Sequence, residues 1–167
     1  RVDRVVVSTL PASRPPSRKP SPEMLAAFNS QKALAPFQSR EFFVAFLRDV
    51  CANDTVIDDA LIDRYWALNN RAGGKAAVDA YIQTQYRMWD TLDVPAYYAR
   101  LTRPMLIQWG ADGVVLPRYV GDDVAALFKG RPVTLIQYPG AGHLPMIEQP
   151  AITVRDAIAF LKARSPD

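Results

Sequence analysis

The chain has one cysteine and one histidine in 167 residues, and each scarcity excludes something. A lone thiol closes no intrachain disulfide. Cys51 falls in an apolar helical stretch with Phe42, Phe43, Phe46, Leu47 and Val50, which reads as the setting of a buried structural thiol. One histidine and one cysteine far apart in sequence make no metal-ligand cluster, and no motif calls for a cofactor. No run reaches the roughly eighteen apolar residues of a membrane span. Excess charge is scarce too: Lys plus Arg number 20 against 17 for Asp plus Glu, and Arg1, Arg4, Arg14, Arg18 and Lys19 concentrate positive charge near the N-terminus. The remainder is close to neutral and lacks the basic stripe of a nucleic-acid binder. These absences point to a reducing, cytoplasmic setting, with neither nucleic acid nor membrane as partner. The chain opens on Arg1-Val-Asp-Arg4 rather than on methionine, and reads as a piece of something longer.

What is present is organised by changes of period. Val5 to Leu10 is a short β-branched run that reads as a buried strand. Pro11 to Pro22 holds five prolines and three serines, a composition that supports neither helix nor central strand and marks an extended connector. Helices follow in series. Ser21-Pro22-Glu23 and Ser39-Arg40-Glu41 carry N-cap signatures. Asp58-Asp59 opens a third helix that Gly73-Gly74 stops, and Lys75 to Trp89 repeats apolar residues at spacings of three and four. Tyr97 and Tyr98 lie in a short fifth. Beyond Arg103-Pro104 strands and helices alternate: Met105–Trp109, Arg118–Lys129, Val133–Tyr138, Ala151–Ala163. That alternation implies a parallel sheet with covering helices.

His143 sits in Pro139-Gly140-Ala141-Gly142-His143-Leu144-Pro145, directly after a strand. In open parallel sheets, reactive groups gather in the crevice at the carboxyl ends of strands. Gly140 and Gly142 would let the backbone turn sharply enough to aim an imidazole over the sheet edge. Two signatures then appear in order. The first is Arg103-Pro104-Met105-Leu106-Ile107-Gln108-Trp109-Gly110, followed by an acid and Pro117. The second is Gly140-Ala141-Gly142-His143-Leu144-Pro145-Met146-Ile147-Glu148-Gln149-Pro150. On these residues, which span 103 to 163, the chain resembles the C-terminal half of the α/β-hydrolase fold. The resemblance implies an α/β fold: an incomplete doubly wound parallel sheet, its last three strands, with an all-helical cap inserted. The corresponding division is residues 1–19 before the cap, 20–102 for the cap, and 103–167 for the end of the core.

The resemblance also implies a nucleophile, an acid and a histidine in that chain order. His143 matches the histidine. It would take a proton from a serine nucleophile, or activate water against a covalent ester if the nucleophile is an aspartate. The acid is expected at Asp112, yet the family carries it three residues after the glycine of the Trp-Gly turn, where this chain has Gly113. Three explanations stand: a reshaped loop that lets Asp112 reach the histidine, an acid at the end of the opening strand, or a lost acid. Ser8-Thr9-Leu10-Pro11 offers no carboxylate for the second. Glu148 reads as a loop anchor and Pro150 as a helix start.

No Gly-x-Ser-x-Gly elbow and no His-Gly-Gly loop occur in the chain, so nucleophile and oxyanion donors are expected upstream of Arg1 or on another chain. The resulting expectation is a hydrolase of a small, largely apolar substrate. An ester or related acyl bond is favoured, with turnover only in the complete protein. The alternative is a ligand-binding, receptor-like protein on the same scaffold. Tyr65, Trp66, Tyr81, Tyr86, Trp89, Tyr97 and Tyr98 are candidates to line a pocket, although at helical spacing aromatics are more often core. A sheet lacking its earlier strands exposes an edge. The missing half, another chain or a homo-oligomer is expected to cover it, and the isolated monomer is expected to be poorly soluble.

Overall fold

The computed structural model describes residues 2–9, 18–31, 38–91 and 93–163, without the side chains of Gln31, Gln85, Tyr86 and Trp89. Leu10 and most of the proline-rich connector lie outside the described residues, as do the side chains of Tyr86 and Trp89 in the aromatic group. Three strands, β1 (Val5–Ser8), β2 (Met105–Gly110) and β3 (Val133–Tyr138), form one parallel sheet in the order β1-β2-β3. Val5 pairs with Met105, and Met105 with Val133. β1 stops at Ser8, short of the expected Leu10, because Thr9 turns to a φ of 48°. That left-handed conformation does not continue a strand.

Every residue of β2 is buried, as a strand covered on both faces requires. Its alternation splits the layers. Met105, Ile107 and Trp109 join one apolar cluster with Val120, Val124 and Phe128 of α6 (Arg118–Leu127) and the residue following it. On Gln108 the sheet meets α8 (Pro150–Lys162): its amide donates to Thr153 O at 2.7 Å and to Tyr138 Oη at 2.9 Å, and Tyr138 Oη donates to Asp156. A buried amide so satisfied fixes where α8 lies.

Gly121 is where α6 comes closest to the sheet. A Cβ there would stand 2.8 Å from Trp109 Cδ2, and Trp109 is fully buried and has no room to yield. Gly121→Ala is therefore expected to destabilise the chain by about 2 kcal/mol, read as a lower urea midpoint at unchanged slope.

Between β1 and β2 run α1 (Pro22–Gln31), α2 (Arg40–Val50), α3 (Asp59–Asn70), α4 (Gly74–Thr91) and α5 (Val94–Ala99). Ser39 and Asp58 cap α2 and α3 by accepting from Phe42 N and Leu61 N. Gly73, with φ of 75°, breaks the chain between α3 and α4. α1, α2 and α3 share a second cluster around Phe42, Phe43, Ala45, Leu47 and Ile62. α5 falls within the segment assigned to the cap, but Val94 and Tyr98 pack into the sheet cluster, and Arg131 donates to the carbonyls of Tyr98 and Leu101. Among the described residues, no helix is long and apolar enough to cross a membrane.

Candidate active site

The loops that leave β2 and β3 are laced together by their backbones. Ala111 N donates to Tyr138 O at 2.9 Å and Asp112 N to Ala141 O at 3.0 Å. They approach so closely that a Cβ on Gly110 would overlap Gly142 O at 1.7 Å, so only glycine fits there. Gly140 supplies the turn with a φ of 76°, and His143 follows at the carboxyl end of the sheet.

The helical layer reaches this loop through the residues after α2. His143 N donates to Val50 O at 2.8 Å. Gly142 lies against the same stretch, where a Cβ would be 2.6 Å from both Ala52 N and Val50 O. Glu148, in the short helix α7 (Pro145–Glu148), joins the two sides. Its Oε1 accepts from Gly142 N at 2.8 Å and Leu144 N at 3.3 Å, and its Oε2 accepts from Ala52 N at 2.7 Å and Asn53 N at 3.1 Å. Glu148 is 6% exposed. A carboxylate this buried persists because hydrogen-bond donors replace the water it lost. Leu144 packs on the apolar cluster of the helices.

The imidazole of His143 is largely buried, and burial holds its pKa below the ordinary 6.5. The charge of Glu148 pushes it up and that of Arg18 pushes it down, both by less. His143 Nδ1 is, among the described residues, the buried side-chain polar atom without a hydrogen-bond partner. Asp112 is exposed, and its Oδ2 accepts from Gly140 N at 2.7 Å. The structure thus places Asp112 and His143 on adjoining loops but joins them by no hydrogen bond. Position 113 lies close to the histidine's backbone: a Cβ there would stand 3.5 Å from His143 N and 3.3 Å from Gly142 C.

Cys51, beside the loop, has its thiol pushed up to about 12 by burial and by the charges of Glu148 and Asp54. It stays neutral and unreactive at physiological pH. Among the described residues, no three His, Cys, Asp or Glu side chains converge as a metal set would.

The lowered pKa of His143 has a stability consequence. The unfolded chain takes up this proton at about pH 6.5, while the folded chain resists it. Stability from the neutral imidazole is therefore present above about pH 6.5 and lost as pH falls below it. The urea midpoint should drop between about pH 7.5 and about pH 5, and less so in His143→Gln.

A cavity of about 600 Å³ opens within the helical layer. It is walled by Met24, Phe28, Phe42, Phe43, Phe46, Tyr65, Val78 and Ile82, with Gln38, Asn69, Lys75 and Asp79 as its polar part. Of the aromatics expected to line a pocket, Tyr65 does so. Tyr98 is buried in the sheet cluster. Trp66, Tyr81 and Tyr97 are exposed. Sequence reasoning missed the phenylalanines of α2, whose spacing at 42, 43 and 46 is an apolar helix face that reads equally well as core.

A parallel sheet with helices on both faces, and a histidine on a glycine turn after its last strand, define a class. The sequence model described as "Alpha/beta hydrolase family" matches residues 1–157, and the chain belongs to that family. A curated relative, "Putative non-heme bromoperoxidase BpoC" of Mycobacterium tuberculosis, is 33% identical over 107 residues, 63% of this chain and 37% of its own length. The chain thus spans well under half of that relative. Similar solved structures include a meta-cleavage product hydrolase from Pseudomonas fluorescens IP01, with TM-score 0.71 and 18% identity over 96% of this chain and 56% of the other. The Cif epoxide hydrolase from Acinetobacter nosocomialis gives TM-score 0.71 and 17% identity, covering 96% and 54%. The enol-lactonase from Burkholderia xenovorans LB400 gives 0.63 and 17%, covering 98% and 57%. At these identities the structures establish the fold alone.

Proposed function

We propose that the intact protein is a hydrolase of a small, largely apolar substrate, acting on an ester or related acyl bond through a covalent intermediate, with His143 as general base. The observation that carries this reading is the setting of His143: a largely buried imidazole, kept neutral by burial, on a loop held at the carboxyl end of the sheet. A neutral imidazole is what proton abstraction from a nucleophile needs. The apolar cavity within the helical layer supports an apolar substrate, and the enol-lactonase and hydrolase among the similar structures agree with hydrolysis in general. Asp112 contributes by holding the turn at Gly140, one step removed from the imidazole.

The nucleophile belongs to a segment that also completes the fold. Among the described residues β1 pairs on one side only, with β2. On α8, Val154, Ile158 and Leu161 recur at helical spacing and are 53%, 46% and 53% exposed. An open strand edge and an apolar helix stripe on one unit favour a covering partner, the upstream half of the protein.

A second reading, a ligand-binding protein with little turnover, is favoured by the unpartnered Nδ1. A chromogenic aryl ester presented to the intact protein separates the two. A stoichiometric burst of phenol, with an acyl adduct detectable by mass, supports the hydrolase. Saturable binding of the ester without burst or adduct supports the binding protein.

A further inference from the structure

We infer that Glu148, rather than a side chain of the loop after β2, is the positioning carboxylate of His143. It holds the amides on either side of the histidine, whose Nδ1 is itself without a partner. The inference rests on His143 as the functional base and assigns what orients it.

Three observations carry it. Glu148 accepts from Gly142 N and Leu144 N, which bracket His143, and with its other oxygen from Ala52 N and Asn53 N. These contacts leave the carboxylate little freedom to rotate, and the one from Leu144 N fixes a peptide unit that carries the imidazole. Asp112, the other carboxylate nearby, is exposed and spends an oxygen on Gly140 N, three residues before the histidine. Nδ1 is buried and has no partner, although a Cβ at position 113 would lie 3.5 Å from His143 N. The seat from which a short side chain could reach this loop is thus filled by a residue without one. Gly113 has no left-handed φ, so a side chain there meets no dihedral strain, and Gly142 C and Leu116 O, each 3.3 Å from its Cβ, must yield by a few tenths of an ångström.

The charged and titratable groups around the imidazole are few. α7 contributes Glu148. The stretch before α1 contributes Arg18, hydrogen-bonded to Asp49 of α2. Cys51, after α2, is uncharged at neutral pH. The loop after β2 contributes Asp112. Burial outweighs them all, and Glu148 is the group that opposes it.

The test is an NMR titration of the intact protein, in which the imidazole signals of His143 are identified by their absence from the His143→Gln spectrum. Asp112→Asn is expected to leave the midpoint within about 0.2 pH units of the parent, since no contact is lost at the ring. Gly113→Asp is expected to raise it by about one unit or more, as an opposite charge within reach of an imidazole does. A hydrogen-bonded Nδ1–H resonance should appear with it. Glu148→Gln is expected to lower the midpoint, because a charge is lost while burial stays, and to move the amide signals of Gly142, Leu144, Ala52 and Asn53.

An Asp112→Asn shift as large as that of Gly113→Asp would overturn the inference and make Asp112 the partner. So would a Glu148→Gln midpoint that is unchanged or that rises toward about 6.5, the value of a ring released to solvent. If Glu148→Gln does not fold, the Asp112 and Gly113 variants decide. None of these outcomes depends on turnover, so failure of the hydrolase reading is seen separately, in the ester assay.

Discussion

His143→Ala in the intact protein is expected to cut aryl-ester turnover by at least about a thousand-fold, with KM changed far less. The imidazole is the only side chain of its kind in the chain, and the neighbouring groups offer no substitute base: the Cys51 thiol is held protonated and Glu148 has both oxygens occupied by backbone amides. Because burial keeps the ring neutral, its loss removes a base already in its working form. Asp112→Ala should cost far less, of the order of ten-fold, since it loosens the turn at Gly140 without touching the ring. A loss equal to that of His143→Ala would place Asp112 at the imidazole. Steady-state kinetics on the two variants, with circular dichroism to confirm folding, is the check.

A large loss of stability is expected from Gly142→Ala. The added Cβ would meet Ala52 N and Val50 O at 2.6 Å and Cys51 C at 2.9 Å. All three are backbone atoms of one loop, so no flexible side chain can swing aside. To accommodate the methyl group the loop must move off, and the bonds from His143 N to Val50 O and from Ala52 N and Asn53 N to Glu148 stretch with it. Overpacking against backbone together with weakened buried hydrogen bonds should cost about 3 kcal/mol or more. In a chain of this size that lowers Tm by roughly 6–12 °C. Gly140→Ala is the useful comparison. A Cβ there would meet only the Gln149 amide, at 3.3 Å, and the penalty is that of a left-handed φ, about 1 kcal/mol. A Gly142→Ala protein as stable as Gly140→Ala would mean that the loop after α2 is not held where the structure has it.

The difference between these two glycines also shows what was legible in the sequence. The strands at 105–110 and 133–138 and the helices after each were readable because their periods differ and Pro104, Gly110 and Gly140 punctuate them. The breaks at Ser39, Asp58 and Gly73 came from local capping and turn chemistry, which acts within a few residues. His143 stood out through its glycine context. The role of Glu148 as an anchor was readable, but its partners Ala52 and Asn53 lie 96 and 95 residues away, and no local pattern specifies such a contact. The packing of α5 on the sheet was hidden for a related reason: a helix of six residues has too few turns to show which neighbour its apolar side faces. Asp112 is the carboxylate nearest in sequence to the position of the family's acid, and which of positions 112 and 113 can face the histidine depends on how a tight turn directs each side chain, which no local pattern specifies.

The contact between the loop after α2 and the histidine loop has a mechanical consequence. In many enzymes a helical lid swings freely above a fixed catalytic floor, so that opening admits substrate without disturbing the chemistry. Here the end of α2 and the histidine loop are fastened to the same carboxylate and to each other. Lifting α2 would therefore pull on the backbone that carries His143, whereas α4, which carries Val78 and Ile82 into the cavity wall, stands outside the set of elements bound to Glu148.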